Sequence, residues 1–97
     1  MADEAVKMLT GAINAYVYND EALAKSVIES DDIVDDLFLR VKTELTDMIV
    51  KDSSKANSAL DLLMIAKYME RIADHATNIA EWVVFSITGV HKDAQLI

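Results

Sequence analysis

The 97-residue sequence has no cysteine and no proline, and its only glycines are Gly11 and Gly89. Without cysteine, disulfides, thiolate metal sites and cysteine nucleophiles are all excluded. Without proline, and with so little glycine, almost nothing in the chain would break a helix. Positive charge is also scarce. Nine Lys and Arg stand against 17 Asp and Glu, for a net charge of −8. That balance disfavours nucleic acid and anionic lipid as direct partners and suits cations or basic protein surfaces. No apolar run reaches the roughly 18 residues a membrane span needs, so no integral membrane segment is expected. The acidic opening MADEAVK lacks the pattern of a secretory leader, and the expected location is cytoplasmic.

What is present builds helices. Hydrophobic residues make up 53% of the chain, mostly Ala, Leu, Ile, Val and Met, all compatible with helix. Helical periodicity recurs three times. A first helix is expected over about residues 2–17, with Val6, Leu9, Ile13 and Tyr16 as its seam. After the break at Tyr18–Asp20, where Asp20 can cap, a second helix is expected over about residues 21–50. Its seam is Val27, Val34, Phe38, Val41, Leu45 and Met48, with Asp31 filling the gap between Val27 and Val34. Ser53 or Ser54 can cap a third helix over about residues 55–88, ending at Gly89. Its seam is Leu62, Ile65, Met69, Ile72, Ala76, Ile79 and Val83. Short connections make consecutive helices antiparallel. The expected fold is one all-α, up-down-up three-helix bundle over residues 1–89, followed by a tail over 90–97 that contains His91.

The third helix carries a row of oxygens. Glu70, Asp74, Asn78 and Glu81 lie within a quarter-turn of one another at about 100° per residue. The second helix offers Asp31 and Asp35, one turn apart. Folding the two helices about the Asp52–Ser53 turn puts Asp31 level with Asp74, and Asp35 level with Glu70. Four carboxylates at one level repel, and any that is buried also loses hydration. A divalent or trivalent cation removes both penalties. All the donors are oxygens, so hard ions such as Mg²⁺, Mn²⁺ or Fe³⁺ fit better than copper, and zinc is also compatible. The plainer reading is a solvated charged face, as for Glu70 or Glu81 taken alone, with Asp31 and Asp35 either facing water or paired with Arg40, Lys42, Lys67 or Arg71. Spacing alone leaves both readings open. His75 reads as a surface or hydrogen-bonded residue. Residues 82–85, starting at Trp82, read as core or interface.

The stretch LLMIAKYMERIADHATNIAEWVVFSITG, residues 62–89, resembles the signature helix of the PhoU family of phosphate-transport accessory proteins. ESDDIVDDL, residues 29–37, resembles the matching part of that family's preceding helix, and INAYVYNDEALA, residues 13–24, its first hairpin. The resemblance implies a PhoU-like, spectrin-like bundle. It places the family's Glu/Asp-x-x-x-Asp metal motifs on Glu70 and Asp74 and on Asp31 and Asp35, with Asn78 at a family position beside them. It implies iron or zinc clusters, or Mg²⁺ or Mn²⁺. It also implies an adaptor that restrains phosphate uptake through the Pst transporter's ATPase subunit, and that keeps a PhoR-type sensor kinase from activating phosphate-starvation genes. Attachment to the inner membrane would then be peripheral, through protein partners. Ala73 departs from the family pattern, which usually has Gly there. Family members usually carry two such repeats, and this chain resembles the second. The cytoplasmic module of a sodium–phosphate cotransporter and a purely structural domain are the alternatives.

An enzyme is not expected. Di-iron carboxylate bundles use Glu-x-x-His pairs, and here Ala73 follows Glu70 by three residues. No P-loop or basic cluster is present to hold phosphate. By the same folding arithmetic, the first helix begins only at the level of the carboxylates. Leu37, Val41, Leu45, Met48, Leu60, Leu63 and Ile65 then lack a third helix to cover them. A homodimer or higher oligomer is expected, with another copy covering that surface.

Overall fold

A computed structural model describes residues 1–89, and the expected tail over 90–97, His91 included, lies outside the described residues. The chain forms α1 (Ala2–Tyr18), α2 (Glu21–Glu29), α3 (Asp31–Lys51) and α4 (Ala56–Thr88), with a short 3₁₀ turn at Ser53–Lys55 before α4. There is no strand among the described residues. The expected all-α up-down-up bundle is the observed one, with α2 and α3 together forming its middle arm. The molecule measures 52 × 26 × 16 Å, and its long axis is close to the roughly 50 Å of a 33-residue helix at 1.5 Å per residue.

The turns follow local chemistry. Asn19 closes α1 in the left-handed conformation, φ 53°, which Asn tolerates better than most residues. Asp20 then caps α2, its Oδ1 accepting the Leu23 N–H at 3.1 Å. Gly89 closes α4 at φ 76°. Two expectations need correction. Ser53 and Ser54 do not cap the last helix; Asp52 organises the turn, its Oδ1 accepting the Ser54 N–H at 3.0 Å and the Ser54 hydroxyl at 2.6 Å. The second helix is not continuous either. It breaks at Ser30, whose N–H donates to the Ser26 and Val27 carbonyls and whose own carbonyl accepts from Ile33 and Val34. The Ser30 hydroxyl also donates to the Ser26 carbonyl at 3.0 Å. Such back-bonding by serine competes with the regular ladder and bends helices.

The core is built from alanine. Ala5, Ala12 and Ala15 of α1, Ala24 of α2, and Ala73, Ala76 and Ala80 of α4 are fully buried, together with Met8, Val27, Val34 and Val83. Small side chains let the helix axes approach closely. The seam expected on α1 is therefore displaced by one residue. The alanines with Met8 face inward, while Val6, Ile13 and Tyr16 are exposed, Tyr16 at 73%. On the middle arm Val27, Val34 and Leu45 of the expected seam are buried, and Phe38, Val41 and Met48 are half-buried; Leu45, expected among the uncovered side chains, is thus already covered within the chain. On α4, Ala76 and Val83 are buried as expected, but Leu62 and Ile65 are exposed. They lie where α3 and the first half of α4 run on as a pair. That pair buries Leu45, Ala59 and Ala66 and leaves Leu39, Leu60 and Met64 exposed.

Gly11 marks a close approach of α1 to α2. A Cβ there would lie 2.9 Å from Cγ2 of Val27, a buried, β-branched side chain whose rotamer is nearly fixed in a helix. Gly11→Ala gains about 1 kcal/mol of helix propensity but overpacks at about 1–3 kcal/mol. We expect a net loss of about 1 kcal/mol in urea unfolding. A cycle with Val27→Ala should show coupling of about 1 kcal/mol; additive effects would contradict the close contact.

Candidate metal centre

The break at Ser30 sets Asp31 and Asp32 in the first turn of α3, where the helix dipole favours negative charge. Asp35 follows one turn later, and both Asp31 and Asp35 are half-buried. Across the pair, α4 presents Asp74. One oxygen from each of Asp31, Asp35 and Asp74 lies within 4.8 Å of the others. This span lies within the largest separation two ligand oxygens of one hard cation can have, at about 2.0–2.6 Å per bond. The donor set therefore fits a hard cation.

Asp31 also receives a hydrogen bond. The Thr77 hydroxyl lies 3.3 Å from Asp31 Oδ1 and 3.1 Å from the Ala73 carbonyl, and its single proton serves one of them at a time. Thr77 did not figure among the expected site residues; its place on α4 one turn after Ala73 is a signal available in the sequence. Glu70 stands one turn before Asp74 and is half-buried. Its Oε1 is engaged by Lys67 Nζ at 2.6 Å. Asn78 is exposed one turn beyond Asp74. Glu81, read alone as a solvated residue, is instead buried at 8% exposure.

The electrostatics follow from this crowding. Burial raises the Asp35 carboxyl above its ordinary value of 3.8, and Asp31, Glu70, Asp74 and Asp32 push it further the same way. Asp74 is raised first by lost hydration and then by Asp31 and Glu70, with Lys67 and His75 opposing. The ion-pair reading of Asp31 and Asp35 is not what forms. Among the described residues the ion pairs are Lys25–Glu21 and Lys67–Glu70, so neither Asp31 nor Asp35 has a cationic partner.

The comparisons with known proteins agree on one family. The PhoU domain profile matches residues 1–83. A phosphate-specific transport system accessory protein PhoU homolog of Clostridium acetobutylicum is 36% identical over 93 residues, which cover 96% of this chain and 42% of that protein. The Zymomonas mobilis protein of the same description is 38% identical, over 92% of this chain and 38% of the relative. A homolog from Methanothermobacter thermautotrophicus is 33% identical, over 91% and 40%. The chain thus spans about two-fifths of the length of these relatives.

Because Asp35 and Asp74 hold their protons to higher pH when folded, the stability they lend is complete below about 3.8 and is lost as pH rises through their raised values. In chelator-treated buffer at neutral pH, Asp35→Asn should therefore be more stable than wild type by a few degrees in Tm. The advantage should vanish as the pH is lowered to about 4. A less stable variant at neutral pH would contradict the repulsion.

Proposed function

The chain belongs to the PhoU family, and on that premise we propose that it is a metal-binding adaptor regulating phosphate uptake and phosphate-starvation signalling. In this reading it restrains the Pst transporter through the ATPase subunit and also restrains a PhoR-type sensor kinase. It works on the cytoplasmic side, held to the inner membrane through those partners. No helix among the described residues is long and apolar enough to cross a membrane. The relatives' description as accessory proteins of phosphate-specific transport supports the assignment.

The observation that carries the reading is the convergence of Asp31, Asp35 and Asp74 with no cation among the described residues paired to the first two. Asp31 and Asp35 would hold an iron, zinc, magnesium or manganese ion from α3, and Asp74 from α4. Glu70 and Asn78, one turn to either side, would complete the oxygen set. A bound cation supplies the positive charge that lets these carboxylates stay ionised side by side. The residues themselves fix α3 against α4 and shape the surface a partner meets. The role is binding, and the chemistry is recognition, not turnover.

Metal analysis of purified protein, wild type against the double variant Glu70→Gln with Asp74→Asn, tests the assignment. Wild type should retain metal and the variant should lose it. At a free concentration 100 times the Kd, the cation should stabilise wild type by about 2.7 kcal/mol. Metal content unaffected by the substitutions, or none in wild type, would refute the site.

A second copy completes the α3–α4 surface in this reading. Leu39, Leu60, Met64 and Ile65 are exposed there, and burying such side chains is worth about 1.5–3 kcal/mol each. The relatives carry more than twice this chain's length, enough for another three-helix unit, and a second copy would supply its equivalent. Analytical ultracentrifugation should show a dimer or larger species that Leu60→Glu with Ile65→Glu returns to monomer. A stable wild-type monomer would refute it.

A further inference from the structure

Lys67 holds a position at the edge of the carboxylate group that the metal-binding reading leaves unexplained. Its Nζ lies 2.6 Å from Glu70 Oε1 and 5.3 Å from the centroid of the Phe38 ring on α3. An ammonium so placed is attracted by the ring face and by the carboxylate together. The Glu70 side chain is only 15% exposed, while that of Lys67 is 52% exposed. The acid is thus sheltered, and the base reaches it from the solvent side. Arg71, the next cation along α4, stacks instead on Tyr68, 5.9 Å from that ring. Lys67 thus engages a carboxylate and a ring together at this level of the hairpin.

Resting on the metal-binding reading above, we propose that Lys67 is a tethered counter-ion that occupies Glu70 in competition with the bound cation. It keeps Glu70 in reserve and so sets the affinity of the site. With Lys67 engaged, Asp31, Asp35 and Asp74 are the available donors. When a cation arrives, Glu70 exchanges the ammonium for the metal, and Lys67 moves back toward solvent along its flexible stem. Two positive charges do not share one carboxylate at close range without repulsion. The lysine thus weakens binding of every cation and weakens it more for ions of higher charge. Lys67 is a positioning residue; it touches no metal.

Isothermal titration with MnCl₂ on the full chain tests this. Lys67→Met keeps the apolar stem beside Phe38 and removes the charge. It should bind Mn²⁺ roughly tenfold more tightly than wild type, while its metal-free form melts at a lower temperature at low ionic strength. Lys67→Arg should restore wild-type affinity, which a merely structural role for the stem would not require. In a Glu70→Gln background, Lys67→Met should tighten binding much less, because only through-space repulsion remains. Lys67→Gln is the second charge-removing variant should Lys67→Met fold poorly. Equal or weaker Mn²⁺ binding by the charge-removed variant, with wild type still binding, would overturn the role of Lys67 alone. No binding by wild type would overturn it together with the metal-binding reading.

Discussion

Like charges gathered at one level of a helix pair must either be neutralised or push the helices apart, and this constraint organises the protein around α3 and α4. Asp31, Asp35 and Asp74 bring their oxygens within 4.8 Å of one another. Asp35 and Asp74 are both raised above the ordinary carboxylate value, by lost hydration and by their neighbours. The chain supplies partial relief. Lys67 pairs with Glu70, and the Thr77 hydroxyl reaches Asp31. Neither gives a counter-charge to Asp31 or Asp35. Acidic side chains on a helix surface are common and usually water-facing. Here Asp31 and Asp35 are half-buried, and Asp74 faces them from an exposed position on α4.

The opposing force comes from the alanine core. α1, α2 and the second half of α4 bury Ala5, Ala12, Ala15, Ala24, Ala73, Ala76 and Ala80. Each alanine has little apolar area to contribute, but none loses rotamer freedom on burial. The gain comes from short interaxial distance and dense contact along the helices. Gly11 takes the same logic to its limit beside Val27. Ala73 belongs to both regions at once. It is buried in the core, and its carbonyl accepts from Thr77, the residue that reaches Asp31.

Much of this was legible in the sequence because antiparallel helices obey a simple register. Folding about the Asp52–Ser53 turn puts Asp31 beside Asp74, and the structure brings them together. The same register pairs Phe38 with Lys67, which meet as ring and cation. Two kinds of information were hidden. On α1, Val6, Ile13 and Tyr16 keep helical spacing as well as the alanines do. Hydrophobicity favours the larger side chains, whereas close packing selects the smaller ones. On the middle arm, the seam from Val27 to Val34 stays in phase across Ser30, so periodicity shows no break there. The break is a hydrogen-bonding event, in which Ser30 turns back on Ser26. The Ser-Asp-Asp sequence at 30–32, a helix-starting signature, was the available signal.

The position of the acidic cluster explains why charge and apolar surface belong to one device. Below it, α4 is clasped by α1 and α2, and the alanine core resists any change in spacing. Above it, α3 and α4 run on as a pair, held by contacts such as those of Leu45, Ala59 and Ala66. Repulsion between the carboxylates acts at the root of that pair, where the part of α4 packed on α1 and α2 gives way to the part packed on α3 alone. Charge at the cluster therefore bears directly on how α3 and α4 pack together. Leu39 and Leu60 sit on the two helices of that pair and remain exposed. Neutralising the carboxylates and covering the apolar surface thus act on the same pair of helices.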